Sequence, residues 1–573
     1  MISGPAEARP GGSAGGMDFV LALHSHLPWV LHHGRWPHGS DWLCEAAVDT
    51  YLPLLGAMEG LETRWIPAPI TLGVTPVLAN QLAHPGFARE LEAFLAQRIA
   101  ACDEAIESFR RSHESHLIPI AWFWRGHLRR LRRTFERAGR DIPGALATLA
   151  GRGRIELMTS AATHGFLPLL ARDESIRLQL LVGRLEHERL FRQTPAGCWL
   201  PECAYRNAGP WAPLPTAPAA SHRAGTDAFL AEAGFRYFFV DSHMAEAGES
   251  LGLYGEPDVG EEIKTPGRTT LDRRWPRSPY RSYQLPGSNG RSIAVLVRDP
   301  RASLRVWSRW EGYPGDEGYL EFHKIRFPGG LKFWRVTGLD VDLGGKLPYD
   351  PNVARARAFR HAADLSALLE SIAASTGPLG GEVTAVPFDT ELFGHWWFEG
   401  LDFLGDLYRR LSQQGRVRPA SASEHLGRHP PAQGIRLVDG SWGANGDYSK
   451  WLNGQTEWTW ERLWPLESRF WEVVRSSDGD GAMDGEGDLV AQTARELVLA
   501  QASDWQFIIS TGAATDYAEK RFLEHCDNLD LLLGVLERRG SPADVGAALG
   551  AMMERNGPFP GIAQAVARIS GRG

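Results

Sequence analysis

The chain has 573 residues, of which 43% are hydrophobic and 23% charged, enough for a full apolar core and more than one domain. A net charge of −8 without a long basic run argues against a nucleic-acid surface, and no apolar stretch is long enough to cross a membrane. Five cysteines without metal-type spacing read as free thiols of a reducing cytoplasm, and many of the 21 tryptophans stand beside polar residues.

Residues 1–16 are rich in Gly, Ala and Pro and lack an export-type apolar core; they read as a disordered extension, with Met17 as a candidate start. Residues 18–23 read as a strand that ends in His24-Ser25-His26-Leu27-Pro28-Trp29. Strand alternation puts His24 and His26 on one face, and Pro28 stops the strand. Such a pair is a metal pair, a pair of hydrogen-bonders to sugar hydroxyls, or two satisfied core histidines. Ser40 or Asp41 is expected to cap a helix running through Tyr51 and Leu55, and residues 66–74 read as a second strand. Residues 80–150 carry long amphipathic helices, at 87–107 and 123–137 among others. This is more than a strand-to-strand crossover needs, so the block reads as an inserted helical domain.

Strand-then-loop patterning returns at 154–168, with His164 at its end, followed by a helix at 175–194. The run Cys198-Trp199-Leu200-Pro201 delivers Glu202, and a proline-rich insertion spans 207–223. A helix at 227–233 and a strand at 237–240 lead to a loop-like stretch, 244–291. Its Tyr254, Tyr280 and Tyr283 either close over a substrate or anchor the loop. A strand at 292–297 precedes an aromatic, turn-rich loop with Trp307. The apolar run 383–388 then presents Asp389, Glu391, His395, Trp396 and Trp397. After a helix at 402–413 the alternation ends. The remaining C-terminal stretch is helical and punctuated by tryptophans, with an acidic linker at 476–488 and Asp504 between long helices.

Glu202 and Asp389 each follow an apolar run in an aromatic setting. A single acid there is more often a helix cap. Two together suit glycosidic bond chemistry, because sugars offer hydroxyls to carboxylates and flat C–H faces to indoles.

Five ordered stretches resemble the signatures of glycoside hydrolase family 57: His24 to Trp29, Gly153 to Leu157 with Ala162 to Gly165, Trp199 to Tyr205, Phe388 to Trp397, and Ser503 to Phe507. Further stretches around Trp42, Trp307, Gly312, Trp442 and Trp451 resemble the α-glucan branching group of that family. The resemblance implies an α/β fold: a distorted, TIM-like (β/α)7 barrel over 17–415, a helical insertion at 80–150, and an all-α domain over 416–573 that completes a glucan groove. It implies retaining transglycosylation, in which an α-1,4 bond is cleaved and the chain passes to a 6-hydroxyl. Glu202 would be the nucleophile and Asp389 the general acid/base. His24, His26, Trp29, His164, Trp307, Trp396, Trp442, Trp451 and Asp504 would bind substrate, and Tyr254, Tyr280 or Tyr283 would gate the site. The expected partner is α-1,4-glucan, with no cofactor, metal, nucleic acid or membrane, in a cytoplasmic monomer. A 4-α-glucanotransferase or amylase-like hydrolase on the same site, a non-catalytic glucan-binding protein, and a metal-dependent hydrolase stand as alternatives.

Overall fold

The computed structural model describes residues 16–218, 222–251, 276–285, 291–308, 312–338, 340–376, 381–476, 486–538, 543 and 545–571. Tyr254 and residues 1–15 and 477–485 lie outside them.

Seven parallel strands form the centre: β1 (Met17–Ser25), β2 (Ile70–Val74), β3 (Ile155–Ser160), β4 (Cys198–Trp199), β5 (Tyr237–Val240), β6 (Ile293–Val297) and β7 (Val383–Asp389). Ladders join β7 to β1, β1 to β2, β2 to β3, β3 to β4, and β5 to β6. Two parallel bridges, Gly197 with Tyr237 and Arg298 with Ala385, link β4 to β5 and β6 to β7, so the ring closes as the expected (β/α)7 barrel. Closure explains the sequence of the strands. Every residue of β1, β2 and β5 is buried, which calls for continuous apolar runs rather than polar alternation. Gly197 is required at one closure point: a Cβ there would sit 2.2 Å from the Tyr237 ring.

Between β2 and β3 come helices Pro76–Leu82, Pro85–Arg111, Ile118–Arg137 and Ile142–Gly151, as the amphipathic pattern predicts. Two expectations need correction, and one element goes unread. Gly39, not Ser40 or Asp41, occupies the N-cap, and the helix from Ser40 passes through a π-helical turn, Ala47–Tyr51, before Leu52–Thr63. The loop-like 244–291 stretch contains a strand, Ser282–Leu285, antiparallel to β6. The 26-residue helix Pro351–Thr376 goes unread in the sequence.

The C-terminal helices begin with Glu457–Ser476, whose Trp460, Trp464 and Trp471 are fully buried. Helical spacing puts these indoles on one face. The Trp464 indole N–H donates to the Leu169 carbonyl and that of Trp471 to the Ser175 hydroxyl, 2.9 and 2.8 Å, pinning the bundle to the barrel. Among the described residues no helix is long and apolar enough to cross a membrane.

Candidate active site

The strand ends of the barrel bring together residues far apart in sequence. Parallel pairing of β1 with β7 sets His24 opposite Asp389. His26 lies just beyond on the same face, and its ring is held by the Thr75 hydroxyl at 3.0 Å and the Asp504 carboxylate at 2.9 Å. His164, after β3, has its Nε2 3.0 Å from Nε2 of His24, and its Nδ1 3.0 Å from the Ser503 hydroxyl. The three imidazoles stack, and His24 lies nearly parallel to Trp199, 4.7 Å between centroids. Burial pushes His24 and His164 well below the usual histidine range, so both are neutral hydrogen-bonding groups at pH 7.

Glu202 follows β4 in a left-handed backbone conformation, φ 59°, that costs a non-glycine residue about 1–2 kcal/mol. Trp442 holds it there twice. The Trp442 backbone N–H donates to the Glu202 carbonyl at 3.0 Å, and its indole N–H to Glu202 Oε2 at 2.8 Å. The Ser503 hydroxyl approaches Oε1 at 3.4 Å. Neither Glu202 nor Asp389 caps a helix through its side chain, so the cap reading fails for both.

Both carboxyls are driven upward. Burial, aided by the Asp389 and Asp504 charges, pushes Glu202 up to about 8 against the Trp442 hydrogen bond. Burial pushes Asp389 up to about 7, with Arg298 and His26 pulling the other way. Two such neighbours titrate as a unit and share a proton near neutral pH. The hydrogen bonds decide where it sits. Glu202 accepts from an indole and a hydroxyl, which favours its ionised form. No hydrogen-bond donor reaches the Asp389 carboxyl among the described residues, which favours its protonated form.

Around this pair lie groups to which the sequence reading assigns no role. Glu391 accepts from the Tyr51 hydroxyl at 2.5 Å and the His26 backbone N–H at 3.3 Å, and burial pushes it up to about 8. Arg298 is buried, faces the Trp442 ring at 5.6 Å and lies 4.0 Å from the buried Asp241. Adjacency was the available signal: Glu391 follows Asp389 by two positions, and Ser503 precedes Asp504.

Other expectations do not survive the geometry. Trp451 is fully buried against Phe166, with no face open to a sugar. Trp29 is 3% exposed and donates its indole N–H to the Arg555 carbonyl at 2.8 Å; it fastens the C-terminal helices. Tyr280 and Tyr283 are buried anchors rather than gates. The backbone carbonyl of Tyr280 accepts from Val383 at the start of β7, and the Tyr283 hydroxyl donates to the Ser278 carbonyl. Trp307 and Trp396 meet edge to face at 6.4 Å beside Phe388, Trp396 being 37% exposed. Trp442 is the indole placed directly against a candidate catalytic carboxylate.

Residues 20–437 match the model of glycosyl hydrolase family 57, and residues 463–566 match that of the C-terminal region of 1,4-alpha-glucan branching enzyme. The chain is 38% identical over 546 residues to the 1,4-alpha-glucan branching enzyme TK1436 of Thermococcus kodakarensis, covering 94% of this chain and 77% of that protein. The crystal structure of that enzyme, in complex with glucose and additives, superposes with a TM-score of 0.86 at 36% identity, covering 97% of this chain and 96% of the other. A GH57-type branching enzyme from Pyrococcus horikoshii gives 0.84 at 36% identity, with 97% of each chain covered. The α-amylase AmyC of Thermotoga maritima gives 0.78 at 27% identity, covering 97% of this chain and 99% of that one.

Proposed function

The chain belongs to glycosyl hydrolase family 57, and from that membership we propose that it is a 1,4-α-glucan branching enzyme whose catalytic pair is Glu202 and Asp389. One observation carries the reading. The C-terminal helices that match branching enzymes deliver Ser503 to Glu202 and Asp504 to His26 inside the barrel mouth. On this reading the region matched to branching enzymes forms part of the site.

In the proposed reaction the Glu202 carboxylate attacks the anomeric carbon of an α-1,4-linked glucan while Asp389 protonates the departing 4-oxygen. This double displacement requires carboxyl groups about 5–5.5 Å apart. The donor chain is then held on Glu202 as a glycosyl ester. Asp389, now a base, removes the proton from an acceptor 6-hydroxyl, which displaces Glu202 and leaves an α-1,6 branch with the original anomeric configuration. His24, His26, His164 and Asp504 hold hydroxyls at the cleavage point, and Trp307, Trp396 and Trp442 flank the chain. The chemistry calls on no cofactor. We assign the barrel to 17–415 with its insertion at 80–150 and the helical domain to 416–573, and propose a cytoplasmic monomer. The five cysteines, all free and buried, fit a reducing compartment.

A second reading, amylase-like hydrolysis on the same carboxylates, is favoured by the likeness to AmyC. Amylose incubated with the protein separates the two when reducing ends and the α-1,6 anomeric proton are followed together by NMR. Branching gives a rising α-1,6 signal with few reducing ends. Reducing ends without α-1,6 signal would replace the proposal by hydrolysis, and redistributed α-1,4 chains with neither signal would replace it by 4-α-glucanotransfer.

A further inference from the structure

A separate concavity opens on the outer wall of the barrel. It lies between Leu52–Thr63, the inserted helix Ile118–Arg137, the start of Pro351–Thr376, and Gly400–Leu411. Its volume is about 960 Å³, at the upper end for small-molecule sites. Two of the helices present bare backbone to it: nothing lies within 4 Å of where a Cβ on Gly56 or Gly405 would stand. Its aromatic side is built by Phe123 and Phe398, packed edge to face at 6.0 Å, and by Phe359, which is 39% exposed.

The acids that line this cleft are already engaged. Asp49 is held by Lys332 at 3.0 Å and His395 at 3.1 Å. Glu59 pairs with Arg137, Asp402 with Arg355, and Asp406 with both Arg409 and Arg410. Arg64, Arg130 and Arg133 line the same cleft without an acidic partner within 4 Å among the described residues. Burial and the charges of Arg133 and Arg355 hold the Arg130 guanidinium below its usual range, partly offset by Asp402. That leaves three guanidiniums in one concavity without a neighbouring acid, Arg64 donating only to the Gly60 carbonyl at 2.9 Å.

We propose that this cleft binds a phosphorylated sugar. Guanidinium forks match phosphate oxygens in two-point hydrogen bonds, and the sugar's C–H face would rest on the exposed phenylalanine. A neutral glucan segment would leave the surplus charge unanswered, whereas a phosphate answers it.

Isothermal titration of the full-length protein tests this with glucose 6-phosphate, inorganic phosphate and maltose. Glucose 6-phosphate binds one per chain, about tenfold or more tighter than either control, because ring and phosphate both contribute. The double variant Arg130→Ala/Arg133→Ala loses about tenfold or more in affinity, the worth of charge-assisted hydrogen bonds. Gly405→Phe, which fills the cleft without changing its charge, abolishes binding. Both variants keep wild-type activity on amylose, which excludes misfolding as the cause. No binding of glucose 6-phosphate, or binding unchanged in both variants, overturns the proposal. Equal binding of inorganic phosphate overturns the sugar part, and tighter binding of maltose overturns the phosphate part.

Discussion

Trp442 and Arg298 each favour the ionised form of one of the two proposed catalytic carboxyls. The Trp442 indole donates to Glu202 and favours its ionised form. Glu202 must be ionised to attack, so activity falls as pH drops through its pKa. Trp442→Phe removes the donor, raises that pKa and moves the acid limb of the kcat/KM profile to higher pH. The loss at neutral pH is about tenfold or more, since a hydrogen bond to a charged group is worth about 1.5–3 kcal/mol. Arg298 favours the ionised form of Asp389, which must instead be protonated to act. Arg298→Gln therefore moves the alkaline limb upward and leaves the acid limb in place. A pH–rate profile for each variant checks both; a shift of the wrong limb would reassign the roles of the two carboxyls. Burial also makes the pair costly. Carboxyls whose folded pKa is raised stabilise the fold at low pH and lose that contribution as pH rises through the folded value. The Glu202–Asp389 pair, raised to about 8 and about 7, is expected to do so as a unit between about 4 and 8. Glu202→Gln should thus melt above wild type at pH 8, with the gap narrowing at pH 5, as followed by calorimetry.

At the scale of elements, the helix Glu457–Ser476 fastens one half of the molecule to the other. Trp464→Ala should cost about 3–5 kcal/mol by denaturant midpoint, because it empties a core site and leaves the Leu169 carbonyl without its donor. Trp36→Ala, 70% exposed, should stay within about 0.5 kcal/mol. The contrast shows what sequence can and cannot convey. An indole between polar neighbours looks alike whether it lines a groove or fills a core, and so Trp29 and Trp451 are legible as aromatic but not as buried. The strand ends are legible because a fully buried strand must be a continuous apolar run, so the first charge after it stands at the barrel mouth. Glu202, Asp389 and the histidines can be found in that way. Tyr51 cannot, since it matters only through its hydrogen bond to Glu391, hundreds of residues away. Tyr280 and Tyr283 resist reading because a Gly- and Pro-rich stretch hides a short strand paired to β6. The helix Pro351–Thr376 escapes notice because its many small alanines give little apolar contrast between its faces.

Across the whole molecule, the two ends of the barrel carry opposite electrostatics. At the foot of β1, Asp18 is buried, which alone would raise its carboxyl. Hydrogen bonds from His425, Arg418 and Arg428 outweigh that and hold it at about 2. A depressed carboxyl contributes stability that is present above its unfolded value, near 4, and is lost as pH falls through about 2. The foot thus limits stability in acid, while the raised carboxyls at the mouth limit it in base. Stability against pH should therefore pass through a broad maximum, and Asp18→Asn should flatten its acid side alone. The closed ring lets the mouth hold buried carboxyls, because a barrel without open edges keeps its core when a few strand-end residues are strained.

Everything proposed for the mouth turns on Glu202 carrying the glycosyl group while Asp389 moves the protons. Mass spectrometry of the Asp389→Asn variant, quenched after brief exposure to α-maltosyl fluoride, probes that division of labour. Fluoride leaves without an acid, so glycosylation proceeds, but release lacks its base and the ester accumulates. The predicted result is a maltosyl adduct on the peptide that contains Glu202, absent when Glu202 is also changed to Gln. An adduct on another residue, or fluoride release with no adduct at all, would contradict these roles.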